Sequence, residues 1–307
     1  MKKQFPLIRN MILTSGMLVL VKLLGFVKQM VIASAFGANT ETDLVNLSYG
    51  FIGNAQYLLV QVLLTAVVSI YIAAREQDES AAGRFASDTW KVATIVAAAV
   101  SLVIFCAAPL LARFLAPTYS LELSARLSGY LRVFSFLLLF LVWTAVFHAL
   151  LNANKRFIPG QLEGLFQSVI LIGLVVLFAG QLGVNTLTLG YWVYAVFTTV
   201  VLGVLARKYF RSSRGNPFRN PYMRSLLGMI GPLLIGYGAV YINQTVDKIL
   251  VSGLKSGSVT AMGYATVLVN LVGDTIAALM SVLYAHMTEY IAQGKEQQVA
   301  RLAERTA

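Results

Sequence analysis

Eight long apolar runs follow one another along the chain, separated by short polar stretches. They span approximately Met11–Phe36, Leu44–Ala73, Trp90–Leu115, Leu127–Leu151, Leu162–Gln181, Leu187–Ala206, Ser225–Val251 and Val259–Ile291. A helix needs roughly 20 mostly apolar residues to cross the hydrocarbon of a bilayer. Several runs exceed that length, so tilt or extension past the lipid is expected. The runs are continuous, not alternating. In lipid each backbone N–H and C=O must be paired within the spanning structure, and a continuous run does this as a helix, whereas a barrel strand alternates. Of the 307 residues, 58% are hydrophobic and only 12% are charged. A soluble domain is about 25% charged, so most of this surface cannot face water. The predicted fold class is all-α, a polytopic membrane helical bundle of about eight transmembrane helices.

Charge orients the bundle. The net charge is +11, a value that also occurs in nucleic-acid-binding chains. Here the basic residues cluster between the apolar runs, which fits basic loops at one membrane face and leaves no role for nucleic acid. With the N-terminus inside, the inner segments carry Lys2, Lys3 and Arg9; Arg75, Arg84 and Lys91; Lys155 and Arg156; Arg207 to Arg224; and Lys295, Arg301 and Arg305. These are seventeen of the 24 basic residues. The outer segments carry Arg113, Arg126 and Lys255. Both ends are therefore expected on the cytoplasmic side. The first run is too long for a signal-peptide core and lacks a small-residue cleavage site. The single cysteine, Cys106, excludes a disulfide framework and a thiol metal cluster.

The longest polar segment, RKYFRSSRGNPFRNPYMR at Arg207–Arg224, reads as a cytoplasmic linker between two bundles. It serves either as a topology determinant alone or also as a contact for anionic headgroups. A faint repeat supports the division. Phe26–Ser34 (FVKQMVIAS) is similar to Thr245–Ser252 (TVDKILVS), and each is followed closely by glycine, at Gly37 and at Gly253 or Gly257. Span seven then restarts span one, as in carriers built from repeated bundles with the substrate between them. The expected organisation is a six-helix lobe over residues 1–209 and a basic linker over 210–224. The first two helices of a second lobe, with a tail, follow over 225–307. On that reading the chain stops short of a complete second lobe.

Ionisable residues within spans are costly and usually face a cavity or a partner. Lys22 and Lys28 lie in span one with Gly25 between them, Arg132 in span four, Asp247 and Lys248 in span seven, and Asp274 in span eight. One reading of the lysines is a cationic cavity that attracts an anionic group such as a diphosphate. The other is snorkelling of long stems to the interface. Asp247 aligns with Lys28 in the repeat, and the two are expected to approach one another. Asp274 either carries a coupling proton or cation or pairs with a helix neighbour. Asp43, after Thr42, reads as an acidic N-cap of span two, with a gating role as the alternative. No catalytic triad order, HExxH, Walker loop or paired-cysteine metal site occurs, and the two histidines, His148 and His286, are far apart. No enzyme activity, cofactor or metal is expected.

Two segments carry a family resemblance. LLGFVKQMVIASAFGANTETD, through Gly25, Phe26, Phe36, Gly37, Ala38, Thr42 and Asp43, resembles the opening signature of the MurJ/MviN lipid-linked glycan flippases of the MOP exporter superfamily. GLKSGSVTAMGYATVL, through Gly257, Ser258, Val259, Ala261, Tyr264 and Ala265, resembles a second segment of that family, in the expected order. The resemblance implies a MOP-exporter-like fold with the first lobe complete and the second partial, in the bacterial cytoplasmic membrane. It implies alternating access around a central cationic cavity that moves a polyprenyl-diphosphate-linked glycan, lipid II or a related envelope intermediate. It places Lys22 and Lys28 where the family's cavity arginines stand, and Asp43, Gln56 and Gln61 at further substrate positions. Asp247, Lys248 and Asp274 would serve coupling or ion pairing. This sequence departs from the family at Gln29, Gln56, Tyr57, Gln61, Val62 and Val267, which thins the expected charge pattern and leaves the glycan open. The alternatives are a cation-coupled multidrug antiporter of related fold, which calls for acidic cavity walls, and a non-transporting paralogue.

Overall fold

The computed structural model describes residues 5–213 and 215–270, together with Gly273. Eight α-helices run through most of it: α1 (Phe5–Phe36), α2 (Thr40–Gln77), α3 (Glu79–Leu115), α4 (Leu121–Ser135), α5 (Leu137–Ala153), α6 (Ile158–Leu182), α7 (Asn185–Ala206) and α8 (Pro221–Ser252). A ninth, α9, is described over residues 258–270. Seven segments are long and apolar enough to cross a membrane, with α4 and α5 forming one of them. They coincide with the first seven predicted spans. Most of the eighth, with Asp274, lies outside the described residues.

The central element is α2, packed on α5, α8, α3 and α4. On one side α1 leans on α6, α6 on α7, and α7 on α5. Helices in lipid associate by close packing instead of by water exclusion, so small residues at crossings matter. Ala66 and Ala74 of α2 meet Ala145 and Ala149 of α5, and all four are fully buried. At 38 residues α2 is roughly 57 Å long at 1.5 Å per residue. It therefore passes well beyond ~30 Å of hydrocarbon, as the length of its run predicts.

Local chemistry sets the breaks. Asp78 ends α2 and caps α3, its carboxylate accepting from Ser80 N (2.8 Å) and Ala81 N (3.0 Å). Backbone hydrogen bonding, first from Ser80, and the Arg84 guanidinium hold this carboxyl below its usual range. The predicted fourth span is interrupted at Phe136. Ser135 Oγ donates back to Arg132 O (2.7 Å), and Phe136 O takes an i+3 bond from Leu139 N. Such back-bonding bends a helix. Pro221 does not break helix here. It opens α8 in the first turn, where its missing N–H costs nothing, with Asn220 as cap.

The ends of the bundle differ. The α2–α3, α5–α6 and α7–α8 connections share one end, tied by Arg75 Nη1 to Asn154 Oδ1 (3.0 Å) and Tyr222 OH to Gln77 Oε1 (2.6 Å). This is the basic end. There the linker lies on α3. Arg211 N donates to Gly83 O (3.1 Å), and buried Asp88 accepts from Ser213 Oγ (2.6 Å) and Asn220 Nδ2 (2.9 Å). A Cβ at Gly83 would collide with Arg211, so the close approach needs glycine.

Candidate functional site

Polar stripes on five helices converge between α1 and α6 on one side and α8 and α9 on the other. Each stripe has three- and four-residue spacing, which places its members on one helix face. On α1 it is Lys22, Gly25, Lys28 and Gln29; on α6, Gly164, Gln167 and Ser168. On α2 it is Asn46, Tyr49, Gly50 and Asn54; on α8, Gln244, Asp247 and Lys248. The α9 members are Thr260, Gly263, Thr266, Val267 and Asn270. They enclose two adjoining hollows of about 230 Å³ and about 390 Å³, with Gln29 and Asn270 on the walls of both.

Lys22 and Lys28 line the smaller hollow. Lys28 Nζ donates to Gln167 Oε1 (3.0 Å), and Gln167 Nε2 donates to Tyr49 OH (2.8 Å). The Tyr49 ring stacks on Tyr191, centroids 3.4 Å apart. A cation held at this depth needs such a partner. Asp247 and Lys248 line the larger hollow. With the Asn54 amide nitrogen donating to Gly50 O, its oxygen accepts from Lys248 Nζ (3.2 Å). Gly50 makes room for that amine, since a Cβ there would overlap it. Among the described residues no ion pair joins Lys28 to Asp247. The two residues stand on the walls of neighbouring hollows.

Gln56 sits elsewhere. Its amide donates to Glu163 Oε1 (2.5 Å), which also accepts from Tyr194 OH (2.7 Å). This knot joins α2, α6 and α7 beside the Tyr49–Tyr191 stack. Glu163 went unremarked in the sequence, although a carboxylate one residue inside a predicted span was the available signal. Gln61 is half-buried and lies outside the walls of both hollows.

At the end opposite the linker, Asp43 ties α2 to the start of α9. It is 2% exposed. Its Oδ2 accepts from Gly257 N (2.7 Å) and its Oδ1 from Thr260 N (2.8 Å), which caps α9. This corrects the expected role as cap of its own helix. Asn39 caps α2, in a capping box with Thr42. Nearby, Asn46 Nδ2 donates to Thr260 Oγ1 (3.0 Å), Thr40 and Ser256 share a hydroxyl bond (2.7 Å), and Tyr264 OH donates to Gly37 O (3.2 Å). Gly37 (φ 66°) and Gly257 (φ 87°) both adopt the left-handed conformation, and Gly257 packs on Ala38 O. Of the two glycines weighed in the repeat, Gly257 shares the conformation of Gly37. Burial, with the Asp43 charge adding to it, pushes the Tyr119 hydroxyl up to about 12.

Residues 32–306 match the family model for the lipid II flippase MurJ. A curated probable lipid II flippase MurJ from Rhizobium tropici is 23% identical over 98% of this chain and 58% of its own length. A solved lipid II flippase MurJ in an inward closed conformation superposes with a TM-score of 0.72 at 18% identity, over 85% of this chain and 55% of that one. An inward-facing MATE-family multidrug resistance transporter of the MOP superfamily gives 0.68 at 14% identity, over 94% of this chain and 67% of that one. The chain thus spans between half and two thirds of the length of these relatives. The family match covers most of the sequence, and the chain belongs to the lipid II flippase MurJ family.

Proposed function

We propose that this chain supplies the first lobe, and the start of the second, of an alternating-access carrier for a polyprenyl-diphosphate-linked glycan in the bacterial cytoplasmic membrane. The observation that carries the reading is the placement of Lys22 and Lys28 on one wall of an intramembrane polar hollow. A diphosphate needs cations and hydrogen-bond donors in a low-dielectric setting. The neighbouring amides of Gln29, Gln167 and Asn270 suit the glycan's hydroxyls. Substrate contact is assigned to Lys22 and Lys28. Asp247 and Lys248 are assigned to charge balance across the crevice, Gln56 to support of the wall through Glu163, and Asp43 to the gate at the far end.

The basic end is taken as cytoplasmic, with the N-terminus on the same side. The Asp43 bonds then hold the crevice shut toward the outside, an inward-facing arrangement. A cation-coupled multidrug antiporter shares this fold but calls for acidic walls, whereas these walls set Lys22, Lys28 and Lys248 against Asp247. The test is transport of a fluorescent polyprenyl-diphosphate glycan in proteoliposomes. Lys22→Ala and Lys28→Ala lose transport with membrane insertion unchanged. Undiminished transport in both variants removes the mechanism.

A further inference from the structure

A separate cavity of about 600 Å³ opens at the basic end, between the start of α3, the ends of α5 and α7, and the linker. Its lining divides into two chemistries. Lys91, Arg207 and Arg211, with Ser87, Ser212 and Ser213, make one side, and Trp90, Phe147 and Phe210 the other. Among the described residues no carboxylate lines it. Asp88, behind this wall, accepts from Ser213 and Asn220 and lies 4.0 Å from Lys91 Nζ, which also donates to the Ser213 carbonyl (2.5 Å). Arg211 gives Nη1 to the Lys208 and Phe210 carbonyls, and no bond from its other guanidinium nitrogens occurs among the described residues. The buried Trp90 indole N–H has no acceptor among the described residues. Gly203 leaves the α7 wall low, and Val200 and Val204 beside it are exposed on the outer surface of the bundle. Trp90, Trp143 and Tyr209 cluster at this level, where aromatic residues mark the border of hydrocarbon and headgroup.

We infer that this cavity binds the phosphate of an anionic phospholipid. Arg207, Arg211 and Lys91 face the headgroup, and an acyl chain lies over Phe147 and along α7. A soluble phosphate would share the cationic half and leave the aromatic wall and the outward valine track without purpose, so the assignment is to the lipid. The arrangement would tie the linker, which lies on α3, to the membrane surface. This site is distinct from the central crevice and does not depend on what the crevice carries.

The full chain, purified in mild detergent and stripped of lipid, is titrated with phosphatidylglycerol and with phosphatidylcholine, and bound lipid is counted by native mass spectrometry. One phosphatidylglycerol is retained preferentially. Arg207→Gln with Arg211→Gln weakens retention by about thirty-fold, the scale of removing two phosphate-facing cations. Ser212→Glu, a change on an exposed loop that spares the helices, places a negative charge in the cavity and has the same effect. Lys22→Gln with Lys28→Gln in the crevice leaves retention unchanged, which separates this site from the transport reading. Equal retention of the two lipids overturns the inference. So does equal loss in an Arg113→Gln control at the opposite end, or displacement of the lipid by inorganic phosphate at matched concentration.

Discussion

Asp43 on the first turn of α2 and Thr260 on the first turn of α9 are 217 positions apart, yet the Asp43 Oδ1 accepts the Thr260 amide at 2.8 Å. Because Oδ2 takes the Gly257 amide, one buried carboxylate of α2 caps α9. Removing it leaves two buried N–H groups without acceptors. Asp43→Ala is expected to destabilise the chain by about 1–3 kcal/mol, read as a lowered thermal midpoint in detergent. A cysteine placed at buried Val259 should react faster with a membrane-impermeant thiol reagent in that background. An unchanged rate would show that the bond does not hold this end closed.

Glu163 joins three helices by accepting from Gln56 and Tyr194. Glu163→Leu strands both donors and is expected to cost about 2–4 kcal/mol, the sum of two unpaired buried groups. Glu163→Gln retains a carbonyl acceptor and should lose less than half as much. Thermal unfolding of the two variants side by side makes the comparison, and equal losses would refute the hydrogen-bond account.

The linker depends on Gly83, whose carbonyl accepts from Arg211 N. Gly83→Leu should push the linker off α3 while leaving the spans in place. Cleavage by trypsin at Arg211 is the measurement, with an increase of at least about ten-fold expected, since cleavage tracks the population of the opened segment.

Asp78 gives a pH dependence with a defined sign. Its folded-state pKa lies below the ordinary value of 3.8, first through the Ser80 amide bond. Its contribution to the α2–α3 turn is therefore fully present above that value and is lost as pH falls below it, through the lowered folded value. The protection of the Ser80 and Ala81 amides against exchange, relative to the intrinsic rate at each pH, should fall over that acidic window. In Asp78→Asn the same exchange should show no such step.

The spans were legible in the sequence because lipid imposes one rule on every backbone group, and an apolar run reports it directly. The lysine stripe on α1 was legible for the same reason, since Lys22 and Lys28 interrupt an apolar helix on one face. The break at Phe136 was not legible, because it turns on the rotamer of Ser135. The Asp43 cap was assigned to the wrong helix: a first-turn acid satisfies either helix end on local grounds, and only tertiary contact brings Gly257 and Thr260 to it. Glu163 escaped because its two donors, on α2 and α7, are distant in sequence.

In the proposed function the Lys22–Lys28 wall recognises a diphosphate. Its most direct test is binding of a polyprenyl diphosphate against the matching polyprenyl alcohol, measured on the full chain in nanodiscs. The diphosphate should bind about ten-fold more tightly or better, the scale of charge-assisted hydrogen bonds to phosphate. Lys22→Gln with Lys28→Gln should abolish that preference, and Lys22→Arg with Lys28→Arg should preserve or strengthen it through the guanidinium fork. Equal affinity for the two lipids, or a preference that survives the double glutamine change, would contradict it.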